Sequence, residues 1–118
     1  MFTAKMQYAL VLLKELHELN RNGNLGPVKL KDVAEKHGLK KEFLDQVARK
    51  LRLKGYVESI KGPGGGYVLN KFPEKALEVY FCVQPELDMK MAASGEAAQE
   101  YLHELHDQYV DLIGELKL

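Results

Sequence analysis

Two stretches of the chain concentrate polar and charged side chains in patterns suited to binding. Lys41, Glu42, Asp45, Gln46, Arg49 and Arg52 alternate with the apolar set Leu44, Val47, Ala48 and Leu51. On a helix these two sets fall on opposite faces. The polar face then offers what base edges and phosphates require. Arg49 or Arg52 can bridge a guanine edge or a phosphate, Gln46 can address adenine, and Glu42 or Asp45 can accept from cytosine while being repelled by phosphates. Taken alone, the same face also fits an ordinary solvated helix.

The second stretch is Lys61-Gly62-Pro63-Gly64-Gly65-Gly66-Tyr67. It lacks the Lys-Ser or Lys-Thr of a nucleotide P-loop, and it does not join a strand to a helix as the dinucleotide fingerprint does. Glycines such as Gly64 and Gly65 permit positive φ and a close backbone approach to a phosphate, and Lys61 brings charge to the same place. Tyr67 is expected to anchor the return strand. A mobile loop is the alternative on local sequence alone.

Other reactive residues are sparse. No nucleophile–base pair, carboxylate dyad or phosphate-binding turn is evident, so an enzyme is not expected. Cys82 is the single cysteine. Its neighbours Tyr80, Phe81 and Val83 favour a small residue in an apolar setting over a redox-sensing thiol. His103 and His106, with Glu104 or Asp107 nearby, have i, i+3 spacing, but two imidazoles on a charged face are more often solvated than metal-bound. Met89 and Met91 are expected to cover the junction between domain and tail.

The helices and strands that carry these residues follow from periodicity. Ala9, Leu12, Leu13, Leu16 and Leu19 mark a first helix with Thr3 as N-cap, ended by the turn-forming tract Asn20-Arg21-Asn22-Gly23-Asn24 and by Gly26-Pro27. After a loop, Leu30, Val33, Ala34 and His37 give a helix of about two turns, with Gly38 at the left-handed position after its end. A third helix carries the face described above to about Lys54, where Gly55 stops it. Residues 56–60 and 67–69 read as the strands of a hairpin. Pro73 can open a fourth helix in its first turn, with Ala76, Val79, Tyr80 and Val83 inward.

Residues 84–95 lack a period and read as a linker. Beyond them Ala98, Leu102, Leu105, Tyr109, Leu112 and Leu116 are spaced 4, 3, 4, 3, 4, a heptad seam on a helix of about 22 residues or roughly 33 Å. Pairing with a second copy is expected, packing back on its own domain being the alternative. The fold class is therefore mainly α with a small antiparallel β-hairpin: a winged helix-turn-helix domain over residues 1–83, then a linker and long C-terminal dimerisation helix over residues 84–118.

The formal charge of zero hides an asymmetry. Residues 1–72 carry 14 Lys and Arg against 7 Asp and Glu, a net +7, and residues 73–118 carry 3 against 10, a net −7. A basic part that meets a polyanion and an acidic part with a different task fit this division. No apolar run approaches the roughly 20 residues of a membrane span, and the start lacks the apolar core of a secretory signal. With one cysteine and hence no internal disulfide, a cytoplasmic protein without membrane contact is expected.

The chain resembles the IscR/NsrR/CymR family of bacterial winged-helix regulators, also called the Rrf-two family, over nearly its whole length. The matching pieces are Met1-Phe2-Thr3 with Tyr8-Ala9, residues 30–39, Phe43-Leu44-Asp45-Gln46-Val47, Leu51-Arg52 and, most diagnostic, residues 55–69. The resemblance implies a homodimeric transcriptional regulator, more often a repressor, of double-stranded DNA. It puts Lys40, Glu42, Asp45 and Gln46 in the base-reading part of the recognition helix and Lys61 in place of a minor-groove arginine. The family usually has serines at the positions of Lys40 and Glu42, so its operator does not carry over, and lysine is a less planar donor than arginine. Many members hold an iron–sulfur cluster through three cysteines before the dimer helix. Residues 84–95 have none, and Gln7, near the place of an acidic ligand in some relatives, offers a neutral amide, so no cofactor is expected. The sequence identifies no small-molecule effector. The competing function is a winged-helix protein–protein interaction module that has lost specific DNA binding, for which Glu42 and Asp45 on the groove-facing side speak.

Overall fold

The computed structural model describes residues 3–83, 107–108, 114 and 117–118. The described elements run α1 (Ala4–Arg21), α2 (Leu30–His37), α3 (Lys41–Leu53), β1 (Val57–Ile60), β2 (Gly66–Leu69) and α4 (Ala76–Val83). The chain divides into two compact units, Met1–Phe72 and Pro73–Leu118, and the division falls where the charge balance changes sign.

In the first unit, α1 starts where a hydroxyl satisfies an amide the helix leaves open: Thr3 Oγ1 accepts from the Met6 N–H at 3.3 Å. Its buried stripe is Met6, Ala9, Leu12, Leu13 and Leu16, one turn longer at the start than expected, with Leu19 only half-buried. The asparagine-rich turn ends it, with the Gly23 and Asn24 amides donating to the carbonyls of Asn20 and Leu19. Leu30, Val33 and Ala34 bury the inner face of α2, and Gly38 takes the left-handed conformation (φ 66°, ψ 35°) that stops it.

His37 keeps the spacing of that stripe but not its burial. Its Nε2 lies 3.0 Å from Glu15 Oε2, and Lys36 Nζ lies 2.6 Å from Glu15 Oε1, so one carboxylate of α1 joins two side chains from the end of α2. The Glu15 side chain is 13% exposed, and its hydrogen bonds to Lys36 and then His37 hold its pKa below the usual carboxylate value despite the opposing effect of burial. A depressed folded-state pKa contributes stability above the unfolded value that is lost as pH falls through the folded one. Glu15→Gln is therefore expected to cost about 1 kcal/mol at neutral pH, limited by the solvent around Lys36, or about 4 °C in Tm. The difference from the parent chain should shrink on acidification below the ordinary carboxylate range. Thermal melts over pH check this, and a difference that persists in acid would contradict it.

Leu44, Val47, Ala48 and Leu51 of α3 are all at most 1% exposed and build the centre of the core with α1. Each fully buried leucine contributes about 2 kcal/mol through the apolar area it withdraws from water. The entry to α3 is fixed by Tyr8: its hydroxyl accepts from the Lys40 N–H at 3.0 Å, and its ring meets Phe43 edge-on at 4.7 Å. The Gly55 and Tyr56 amides close the far end on the carbonyls of Arg52 and Leu51.

Strands β1 and β2 pair antiparallel in the register Val57–Leu69 to Ile60–Gly66. Val28 joins them as a one-residue third strand, donating to the Tyr67 carbonyl at 2.9 Å and accepting from the Tyr67 N–H at 2.8 Å. Tyr67 thus anchors the return strand through its backbone.

In the second unit α4 begins at Ala76, three residues beyond Pro73, which does not occupy its first turn. The carboxylate of Glu78 sets the start by accepting from the amides of Glu74 and Lys75 at 3.0 and 3.1 Å, as a capping residue does. Ala76, Val79, Tyr80 and Val83 are buried as the spacing requires, Cys82 is buried with them, and Phe81 is 49% exposed. Asp107 and Gln108 are helical. Residues 84–95, His103, His106 and the seam residues Ala98, Leu102, Leu105, Tyr109, Leu112 and Leu116 lie outside the described residues. Among those described, no helix is long and apolar enough to cross a membrane.

Candidate nucleic-acid interface

With Leu44, Val47, Ala48 and Leu51 turned inward, the remaining face of α3 carries the polar set outward: Lys41, Glu42, Gln46, Arg49 and Arg52 are exposed, Asp45 is partly so, and Lys40 precedes the helix on the surface. Lys41 Nζ and Asp45 Oδ2 form an i, i+4 pair at 2.9 Å. That hydrogen bond holds the Lys41 ammonium above the usual lysine range, so Lys41 stays charged while Asp45 matches much of its field.

The other ion pairs of the first unit gather on α1. Lys14 and Arg21 flank Glu18, and Lys36 and His37 flank Glu15. Among the described residues Lys29, Lys31, Lys40, Arg49, Arg52 and Lys61 take part in no ion pair. Unpaired cations therefore gather around α3, the hairpin and the start of α2, where they outnumber the unpaired acids Asp32, Glu42 and Glu58.

The glycine tract makes the wing, and its members do different things. Lys61 and Gly64 are exposed at the turn, where Gly64 has φ 77°. Gly65 is buried: a Cβ there would meet the backbone carbonyl of Ile60, so its missing side chain serves the hairpin itself. Gly66 serves the attachment of the hairpin, because a Cβ there would meet the backbone carbonyl of Val28. The close approach at Gly66 brings the wing against the residues that lead into α2.

A cleft of about 360 Å³ results, walled by Lys29 and Lys31 of α2's start, Lys41 and Asp45 of α3, and Ile60 and Tyr67 of the hairpin. It unites the beginning of the α3 face with the wing. Arg49 and Arg52 stand further along α3, and Lys61 stands at the wing turn, outside the cleft walls. Lys29 and Lys31 were missed by periodicity, since they flank Leu30 and belong to no stripe. The excess of basic residues before Phe72 was the available signal, but only the Val28–Tyr67 pairing places these two beside the wing.

Three helices, a short turn between the second and third, and a hairpin after the third define a winged helix-turn-helix domain. The chain belongs to the Rrf2 family, described as iron-dependent transcriptional regulators, whose family model matches residues 2–116. It is 33% identical over 99 residues to the HTH-type transcriptional regulator IscR of Photorhabdus laumondii, covering 82% of this chain and 58% of that protein. To IscR of Escherichia coli it is 39% identical over 69 residues, 58% of this chain and 41% of that one. The chain thus spans about half the length of these curated relatives. Among solved structures it is similar to CymR, the global cysteine regulator of B. subtilis (TM-score 0.66, 26% identity, 99% of this chain and 92% of that chain). The T. potens IscR structure, at 22% identity and TM-score 0.67 over 99% of this chain and 82% of that one, shares the fold.

Proposed function

We propose that the chain is a sequence-specific DNA-binding repressor that acts as a homodimer. The observation that carries this reading is the joint surface of α3 and the wing, where exposed hydrogen-bonding side chains sit beside Lys40, Arg49, Arg52 and Lys61, none of which has an ion-pair partner among the described residues. In this reading α3 enters the major groove. Lys40, Glu42, Asp45 and Gln46 face base edges near its start, Arg49 and Arg52 reach guanine or phosphate, and Lys61 with Gly64 lies along the neighbouring groove. Gly65 contributes by shaping the hairpin. The seam from Ala98 to Leu116 pairs two copies, so that two recognition helices address a two-fold operator. Titration against DNA from upstream of its own locus is expected to give affinity that falls steeply with salt. Binding that is absent, or indifferent to salt, would overturn the reading.

The family's description as iron-dependent raises the question of a cluster. The donor set does not fit one: Cys82 is the single thiol in 118 residues and is 5% exposed, and no group of three or more His, Cys, Asp or Glu among the described residues is arranged to hold a metal. Cluster ligation requires several thiolates or thiolates with imidazoles. The chain accordingly regulates without an iron–sulfur centre in this proposal. Anaerobic incubation with ferrous iron and sulfide, followed by desalting, should leave a colourless protein; retained iron and acid-labile sulfide in equal amounts would contradict it.

A further inference from the structure

Lys29 and Lys31 stand where the helix they begin gains nothing from them. Lys29 is the N-cap of α2 and makes no side-chain cap hydrogen bond, because an ammonium cannot accept from the first amides. Positive charge at the start of a helix also opposes its dipole, and only Asp32 in that turn offsets it. Both lysines are exposed, and neither has an ion-pair partner among the described residues. Residues that break a local rule without a local gain are candidates for a functional role.

Their surroundings supply that role. Both wall the 360 Å³ cleft between α2, α3 and the wing, where Asp45 is already committed to Lys41. Within the cleft their two charges thus meet no free carboxylate, Asp32 standing with them on a neighbouring hollow instead. Ile60, 45% exposed, gives the same cleft an apolar wall. The two backbone hydrogen bonds between Val28 and Tyr67 tie the residue before Lys29 to the wing, so the lysines are held in a fixed relation to the hairpin.

We propose that this cleft seats a phosphodiester of the DNA backbone, with Lys29 and Lys31 as its cationic clamp and Ile60 against the adjoining sugar. The inference rests on the DNA-binding reading and adds two residues that set the register of the wing on the duplex without reading sequence. A free phosphate-bearing molecule presents the same chemistry, but the cleft opens onto the α3 face through Lys41 and Asp45, which favours a backbone already lying along that face.

The test compares the parent chain with a Lys29→Ala, Lys31→Ala double variant in salt titrations by fluorescence anisotropy. One duplex is upstream DNA that the parent protects and the other is of scrambled sequence. Both substitutions remove side chains without hydrogen bonds to the fold, and thermal melting should confirm an unchanged Tm. The expected result is a slope of log affinity against log salt that is shallower by about 1 to 2, near 0.9 for each lost phosphate contact, with both duplexes weakened by the same factor of about tenfold. Lys14→Ala, on the α1 side, should leave slope and affinity unchanged.

An unaltered slope in the double variant, or a loss confined to one duplex, overturns the proposal while leaving the DNA-binding reading intact. A parent chain that binds neither duplex overturns both. Inorganic phosphate at constant ionic strength that raises the Tm of the parent but not of the double variant would reassign the cleft to a free anion.

Discussion

Replacing Gly66 by alanine should destabilise the chain by about 3 kcal/mol and detach the wing from α2. The added Cβ meets the backbone carbonyl of Val28, which no side-chain rotation can move aside. Relief requires β2 to withdraw, and withdrawal breaks the hydrogen bonds of 2.8 and 2.9 Å between Val28 and Tyr67. Two such bonds contribute about 2 kcal/mol, and forcing a methyl into a closely packed place costs about 1 kcal/mol or more. Against a typical stability of about 5–15 kcal/mol the fold survives, with Tm lowered by roughly 10 °C. Denaturant melts together with amide exchange at Val28 and Tyr67 check this. A variant that keeps both amides protected would show that the hairpin absorbs the methyl elsewhere. Because the same displacement moves the wing from Lys29 and Lys31, DNA binding should fall more than stability alone explains.

Leu105→Lys should separate the proposed dimer and weaken operator binding by about 10²- to 10⁴-fold. The proposed seam runs through Leu102, Leu105 and Tyr109, and the substitution places an ammonium in its middle. Two copies would then confront two unpaired charges in a desolvated strip, a cost of several kcal/mol. Without the link each domain must find its half-site separately, losing the effective concentration that a dimer supplies. Sedimentation velocity and DNA titration on the same sample read both effects. A dimer that persists would place the association surface outside this seam, and Phe81 of α4, 49% exposed, is the next apolar residue to replace.

What could be read from the sequence was the part governed by local spacing. The stripe of α3 and the Thr3 cap follow from intervals of three and four residues and from a single hydroxyl, and both occur as expected. Where the structure departs, a specific side-chain partner decides, whether far along the chain or close by. His37 keeps helical spacing yet turns to Glu15, more than twenty residues earlier. Pro73 is compatible with a first helical turn, but the carboxylate of Glu78 sets the start of α4 later.

The same division holds for the candidate interface. The glycine tract identified a wing, but not that Gly65 is occupied with Ile60 and Gly66 with Val28, because close backbone approach leaves no trace in residue type beyond glycine itself. Lys29 and Lys31 belong to no periodic face. They join the interface only through a one-residue strand pairing, which has no alternation for a reader of the sequence to find.

Genome-wide footprinting of the parent chain beside an Arg49→Ala, Arg52→Ala variant reads at once whether the chain binds specific sites and whether α3 is what binds them. Both arginines are exposed on α3, away from the core, so the variant should fold as the parent does. Protected sites are expected whose halves are related by two-fold symmetry and lie about one helical turn apart, with protection lost in the variant. No protected DNA with the parent chain, or identical protection by the variant, would contradict it.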